Sequence, residues 1–193
     1  VEVEVKRAWP DPGGLADVLH GRPMKPGPRK AVLGRIQDVA APRALGVWLE
    51  TGILEKFPDG GPTVRWRAPV GGGYAGPAVA NGRVFVADRQ LTAGAKNPAN
   101  PFDRSSIPGT ERVLCLNEAD GKILWQHEYD CSYTVSYAAG PRVTPAVADG
   151  KVYTLGAEGN LFCFDAAKGT PLWSHDFKKD FGVKTPVWGF AGH

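Results

Sequence analysis

One ten-residue phrase occurs twice in the chain, as PAVANGRVFV from Pro77 and as PAVADGKVYT from Pro145. In each copy an Asn-Gly or Asp-Gly pair separates two β-prone runs, and such a pair is the strongest short signal for a tight hairpin. A second hairpin follows each phrase, around the Asp-Gly of 120–121 and the Lys-Gly of 168–169. Each copy is therefore predicted to form four short antiparallel strands.

The spacing of the copies indicates how the units are arranged. Trp125 and Trp173 occupy the same place in the fourth predicted strand, and the two copies differ in length only between the second and third strands. Four-stranded units that repeat at such intervals are typical of a β-propeller, in which neighbouring blades bury each other's faces. The high glycine and proline content, 25 and 17 residues, also favours short strands and turns.

Two fragments flank the complete copies: KTPVWG from Lys184 matches VTPAVA from Val143, and TVRWRAP from Thr63 reads as a lone fourth strand. The predicted fold class is all-β, a propeller of four-stranded antiparallel blades in an incomplete ring. The predicted domain of repeats is 46–193, with blades at 75–129 and 143–177 and partial blades at 63–69 and 184–193. We expect an open piece of a larger protein, in which the strand at 63–69 pairs with strands beyond this chain.

Residues 1–45 differ from the repeats, since WPDPGG and RPMKPGPRK hold five prolines and no sustained periodicity. This segment is predicted to be flexible or poorly structured. It carries eight Lys/Arg against five Asp/Glu, whereas 46–193 carries fifteen of each. A neutral repeat region argues against nucleic acid as a partner. No apolar run approaches the ~18 residues of a transmembrane helix, and no signal peptide is visible.

The third and fourth predicted strands carry a recognisable motif. The stretches CLNEADGKILW and CFDAAKGTPLW resemble the tryptophan-docking repeat of PQQ-type propellers, Ala-x-Asp-x-x-Thr-Gly-x-Glu-x-Trp. Over about 60–193, the chain resembles PQQ-binding-like repeat proteins. These are relatives of quinoprotein alcohol dehydrogenases and of BamB. It implies a structural role in docking blades for the residues at motif positions, which are Trp66, Gly121, Trp125, Asp165, Gly169 and Trp173.

Three functions are compatible with this resemblance. The favoured one is a non-catalytic extracytoplasmic scaffold or interaction module, in the periplasm or cell envelope. The alternatives are a quinoprotein oxidoreductase dependent on PQQ and Ca²⁺, and a propeller that binds carbohydrate or another polymer. The sequence lacks the vicinal cysteine pair typical of PQQ-dependent alcohol dehydrogenases and shows no carboxylate cluster suited to calcium. No catalytic, metal or cofactor residue is therefore predicted, and PQQ and Ca²⁺ are expected only for the enzyme.

The long connections mark the expected binding face. They are 71–75, 89–111 and 130–142, and all lie on one side of a four-stranded meander, where binding residues usually sit. We expect a protein or polymer partner there, in addition to the missing blades, while the alternative is that these residues only solvate the loops. Cys131 is the one cysteine expected near the surface. The candidate contact residues are Tyr74, Arg89, Phe102, Asp103, Arg104, Tyr133, Tyr137 and Arg142, with Phe102, Tyr133 and Tyr137 as the aromatic anchors.

Overall fold

The computed structural model describes residues 2–7, 59–61 and 63–192. The chain divides into two units, Val1–Val5 with Arg65–His193, and Lys6–Val64, and the repeated phrases lie in the first. The strands are β1 (Glu2–Arg7), β2 (Thr63–Pro69), β3 (Ala78–Ala80), β4 (Arg83–Leu91), β5 (Gly109–Asn117), β6 (Ile123–Asp130), β7 (Ala146–Ala148), β8 (Lys151–Leu155), β9 (Asn160–Asp165) and β10 (Pro171–Asp176), followed by a helix, α1 (Phe177–Phe181).

The all-β prediction is confirmed. Two four-stranded antiparallel sheets, in the orders β3-β4-β5-β6 and β7-β8-β9-β10, form two propeller blades, and the described residues do not close a ring. The repeated phrase makes the first hairpin of each blade because its turn residues adopt positive φ: Asn81 and Gly82 at 50° and 73°, Asp149 and Gly150 at 48° and 71°. These angles are those of the type I′ turn that matches strand twist.

The first two strands form a separate two-stranded sheet. This corrects the expectation that the strand at 63–69 pairs only with strands beyond the chain, since β2 pairs with β1. The first four residues of β1, EVEV, alternate charged and apolar side chains, which is the sequence period of a strand. Residues 8–45 of the segment predicted to be flexible lie outside the described residues. Within the described part of the chain, no helix is long and apolar enough to cross a bilayer.

The first blade is covered on both faces, which explains why β4 and β5 are almost continuously buried. On one face, Val84 and Leu114 pack with Trp66 of β2. On the other face, Phe85 packs with Phe164 of the second blade. Because side chains alternate along a strand, neighbouring residues of β4 serve two different cores.

A tryptophan lies over a glycine at each of these two junctions. Trp66 lies over Gly121, and Trp125 lies over Gly169, so closely that a Cβ on either glycine would be 2.5 Å from the indole ring. In both pairs the indole Nε1 donates a hydrogen bond to the carbonyl oxygen three residues before the glycine, at 2.7 and 3.0 Å. The two tryptophans therefore make equivalent contacts. Trp66 connects β2 to the first blade, and Trp125 connects the first blade to the second.

The other two motif residues differ in their surroundings. The carboxylate of Asp165 accepts hydrogen bonds from the backbone N–H groups of Ala167 and Lys168, both at 2.9 Å, and so closes its turn. Trp173 packs against Tyr153 of its own blade and is 43% exposed. None of the described glycines lies under Trp173, so its docking role remains a prediction.

Candidate interaction surface

Three loops meet beside the two blades. Loop 1 (92–108) joins β4 to β5, loop 2 (131–142) follows β6, and loop 3 (184–190) follows α1. Loop 1 and loop 2 correspond to the long connections identified in the sequence. Loop 3 lies in the fragment predicted to begin another blade.

Backbone hydrogen bonds join the loops. Ile107 and Tyr133 exchange a pair of N–H to carbonyl bonds, both at 2.9 Å, which ties loop 1 to loop 2. The N–H of Tyr137 donates to the carbonyl oxygen of Pro101 at 2.7 Å. The N–H of Ser136 donates to Val187 of loop 3 at 2.8 Å. Backbone bonds of this kind fix the loops relative to each other without depending on side-chain rotamers.

One aromatic ring from each loop contributes to an exposed cluster, which we call the aromatic notch: Phe102, Tyr137 and Trp188. The ring centroids are 5.5 Å apart for Phe102 and Tyr137, 5.8 Å for Phe102 and Trp188, and 5.5 Å for Tyr137 and Trp188. The side chains are 58%, 40% and 52% exposed. Phe102 and Tyr137 are two of the anchors expected from the sequence, and the structure places them in direct contact.

Arg142 holds the backbone beneath the notch. Its Nη2 donates to the carbonyl oxygens of Ser136 and Tyr137 at 2.8 and 2.7 Å, and its Nε donates to that of Trp188 at 2.8 Å. Its Nη1 donates to Gly140. The planar guanidinium fork suits such a set of carbonyls, because it presents several donors in a fixed geometry. Arg142 is therefore a positioning residue, while the sequence suggested a direct contact.

Glu158 is buried and connects the same loops through hydrogen bonds in the interior. Its carboxylate accepts hydrogen bonds from the N–H of Thr134 at 2.6 Å, the Nζ of Lys178 at 3.0 Å and the hydroxyl of Thr185 at 2.8 Å. Burial opposes its ionisation, but the bond from Thr134 and those from the other two donors outweigh it and lower the pKa of Glu158. The ionised carboxylate thus fixes loop 2, α1 and loop 3 around one point.

A second buried carboxylate, Glu111 of β5, accepts from the hydroxyls of Tyr129 and Tyr133 and from the N–H of Ala157 at 3.0 Å. Burial, and next the Glu111 carboxylate, raise the pKa of Tyr133 above its ordinary value. Tyr133 is fully buried. The prediction that Tyr133 is an anchor for a partner is therefore wrong, because its ring is part of the interior.

Arg89 also corrects a prediction. Its side chain is 3% exposed, lies 4.0 Å from the ring centroid of Tyr133, and donates to the carbonyl oxygens of Ile107 and Ala138 at 2.8 and 2.9 Å. Burial lowers the pKa of its guanidinium. Arg89 supports loops 1 and 2 from inside and is not available to a partner. Cys131 is buried as well, contrary to expectation.

The remaining predicted residues lie at the surface. Tyr74 is exposed, and the guanidinium carbon of Arg142 is 5.3 Å from its ring centroid. Arg104 is exposed and donates from Nε to the carbonyl oxygen of Thr134 at 2.9 Å. Asp103 is exposed, and its carboxylate accepts the N–H of Ser105 at 2.9 Å. These side chains surround loops 1 and 2, so the predicted face is partly surface and partly interior.

The sequence reasoning missed three residues, Trp188, Glu111 and Glu158. In the alignment of the repeats, Trp188 takes the position of Val147. The one signal in the sequence was this large aromatic residue at a position where the other copies have valine. The two glutamates have no signal of this kind. Their partners lie 18 to 46 positions away along the chain, and only the fold brings them together.

The buried carboxylates described above do not fit a calcium site. Those of Glu111 and Glu158 are engaged as described. The carboxylate of Asp88 accepts hydrogen bonds from Nε and Nη2 of Arg112, at 2.8 and 2.5 Å, and from the N–H of Gly71. Calcium requires several oxygen ligands that converge on one point. Among the described residues, no group of three His, Cys, Asp or Glu side chains is arranged to hold a metal ion. These buried carboxylates therefore serve the fold and the loops.

Comparison with known proteins relates the chain to this propeller family. Residues 109–187 match the family model described as outer membrane protein assembly factor BamB. The quinohemoprotein alcohol dehydrogenase ADH-IIG of Pseudomonas putida is 26% identical over 91 residues, which are 47% of this chain and 13% of that protein.

Two solved structures are also similar. A europium-containing methanol dehydrogenase is 20% identical with a TM-score of 0.36, over 60% of this chain and 19% of the other. BamB from Moraxella catarrhalis is 13% identical with a TM-score of 0.29, over 58% of this chain and 40% of the other. The chain thus spans a minor part of each of these proteins. The resemblance to PQQ-like β-propeller repeats is confirmed, and residues 109–187 carry the repeat of the BamB family model.

Proposed function

We propose that this chain is part of a non-catalytic propeller that acts as a scaffold or interaction module in the periplasm or cell envelope. In this proposal, the face formed by loops 1 to 3 binds a protein partner through the aromatic notch. The observation that carries the proposal is the contact of three exposed rings from three separate loops. Clustered exposed aromatics mark interaction sites more often than scattered ones do.

The rings have the properties of interface hot spots. Tryptophan and tyrosine are enriched among residues that dominate binding free energy, since they bury a large area at a small cost in rotamer entropy. Trp188 and Tyr137 are each about half exposed, so a partner can still cover much of their surface. Their mutual contacts already restrict their rotamers before binding.

The hydrogen bonds of Arg142 and Glu158 hold the backbone beneath the notch in one conformation, and this favours binding of a partner. Arg142 fixes the carbonyl groups of Tyr137 and Trp188, and Glu158 fixes the flanking threonines of loops 2 and 3. A surface that is ordered in advance loses less conformational entropy when a partner binds. These two charged side chains thus serve the shape of the surface.

A quinoprotein oxidoreductase is the second candidate, and the stretch similar to ADH-IIG favours it. It requires PQQ and Ca²⁺ to be held by residues outside the described part of this chain. In the proposed module, neither cofactor is needed. Both candidate functions imply a location in the cell envelope, so the location does not distinguish between them.

In-cell photo-crosslinking tests the proposal. The photoreactive residue p-benzoylphenylalanine would replace Phe102 in the protein as the cells produce it, and, as a control, Val79 of β3, which is 56% exposed. We expect a specific protein crosslink from position 102 that is absent from position 79. Equal crosslinking from both positions, or none from 102, would contradict the proposal. Dye-linked alcohol oxidation after addition of PQQ and Ca²⁺ would favour the oxidoreductase.

A further inference from the structure

We infer that the aromatic notch and its charged surroundings form a binding site for an acidic peptide segment with one apolar anchor side chain. The inference rests on the proposed function and specifies the chemistry of its partner. It draws on two independent observations, the charge of the three loops and the arrangement of the three rings.

The loops concentrate positive charge in a region that is neutral as a whole, and the rest of that region has a net charge of −3. Residues 46–193 contain fifteen Lys/Arg and fifteen Asp/Glu. Loops 1 to 3 hold four cations and one carboxylate, a net charge of +3, and these residues are Lys96, Arg104, Arg142, Lys184 and Asp103. Charge of one sign around an apolar centre selects partners of the opposite sign and speeds their association.

Three of these cations are available to a ligand. Lys96, Arg104 and Lys184 are exposed, and Arg104 uses only its Nε to hold loop 2. The terminal nitrogens of Arg104 therefore remain for a carboxylate, which the guanidinium fork can bind through two parallel bonds. Asp103, whose carboxylate accepts the N–H of Ser105, is the one carboxylate in the three loops. The charged surroundings thus favour Asp and Glu side chains.

The ring geometry specifies the anchor. Phe102 stands nearly edge-on to both neighbours, at 77° to Tyr137 and 69° to Trp188. The rings therefore do not form one flat platform of the kind on which a sugar ring stacks. With centroids 5.5 to 5.8 Å apart, the three rings touch one another and form one compact apolar patch, which suits a single apolar side chain. A peptide presents such a side chain next to charged ones, and we expect the anchor to be aromatic or aliphatic.

Fluorescence anisotropy with the full chain and three labelled peptides tests the inference. One peptide is glutamate-rich with a central Phe, the second replaces that Phe with Ser, and the third replaces the glutamates with lysines. We expect the first peptide to bind about tenfold more tightly than either of the others. Trp188→Ser should weaken its binding about tenfold, while the matched control Trp173→Ser, which removes a similarly exposed tryptophan, should leave it unchanged.

Thermal melts of both variants establish that they are folded. Should Trp188→Ser unfold, Phe102→Ser and Arg104→Glu replace it, since both side chains are exposed. Equal binding of the lysine-rich or Ser-containing peptide would overturn the inference, as would wild-type binding by all notch variants. Notch-dependent binding of phosphatidylglycerol vesicles or polygalacturonate, without peptide binding, would assign the surface to a membrane or a glycan. A protein crosslink from position 102 without peptide binding would overturn this inference and leave the proposed module intact.

Discussion

The indole ring of Trp125 in the first blade lies over Gly169 in the second, so a Cβ added to that glycine would be 2.5 Å from the ring. The φ angle of Gly169 is +71°, which non-glycine residues rarely adopt. The glycine is therefore required both by the turn and by the tryptophan. The contact links the two blades, and Trp66 and Gly121 repeat it at the preceding junction.

Gly169→Ala should destabilise the chain by about 2–4 kcal/mol, since backbone strain and overpacking each cost ~1–3 kcal/mol. Gly150→Ala is the matched control, because Gly150 has the same φ of +71° but nothing within 4 Å of the added Cβ. In the control, the free energy of unfolding should fall only by the part that comes from backbone strain. Urea unfolding measures both, and equal losses would show that the ring contact has no energetic role.

Trp125→Ala should destabilise by about 2–4 kcal/mol, because it removes a partly buried ring and the hydrogen bond to Ala166. Trp173→Ala should cost less, about 1 kcal/mol or below, since this ring is 43% exposed. The comparison uses thermal melts of the full chain. Similar costs for the two variants would indicate that Trp173 is covered in solution.

The free energy of unfolding should fall as the pH rises above about 10, where tyrosines ionise in an unfolded chain. Burial and the Glu111 carboxylate raise the pKa of Tyr133, so the folded state keeps a proton that the unfolded state releases. Its contribution is therefore complete below that pH and is lost above it, by about 1.4 kcal/mol per pH unit. Tyr133→Phe should make the decrease less steep, and an unchanged slope would contradict the assignment.

The blades could be predicted from the sequence because the residues that define each hairpin are close together along the chain. The Asn-Gly and Asp-Gly turns fix two hairpins, and the spacing of Trp125 and Trp173 sets the register of the copies. The surface was harder to predict. The sequence pattern places Arg89 and Tyr133 in long connections and favours exposure, but their partners are distant carbonyl groups and Glu111. Local composition does not report such long-range contacts.

Arg142→Lys should loosen the notch without unfolding the chain. A lysine ammonium has no planar fork and cannot serve the carbonyl groups of Ser136, Tyr137 and Trp188 together. We expect about tenfold weaker partner binding, with a loss of stability near 1 kcal/mol. Arg65→Lys serves as the control, because Arg65 is exposed on β2 and its ion pair with Glu118, at 3.7 Å, does not need a guanidinium fork. Wild-type affinity in Arg142→Lys would show that the charge alone matters.

The central claim is that Phe102, Tyr137 and Trp188 form the contact surface for a protein partner. The most direct test is the affinity of the crosslinked partner, once isolated, for Phe102→Ser and for the equally exposed control Val79→Ser. We predict that Phe102→Ser weakens binding about tenfold or more, while Val79→Ser binds like the wild type. Wild-type affinity in Phe102→Ser, with both variants folded, would contradict the claim.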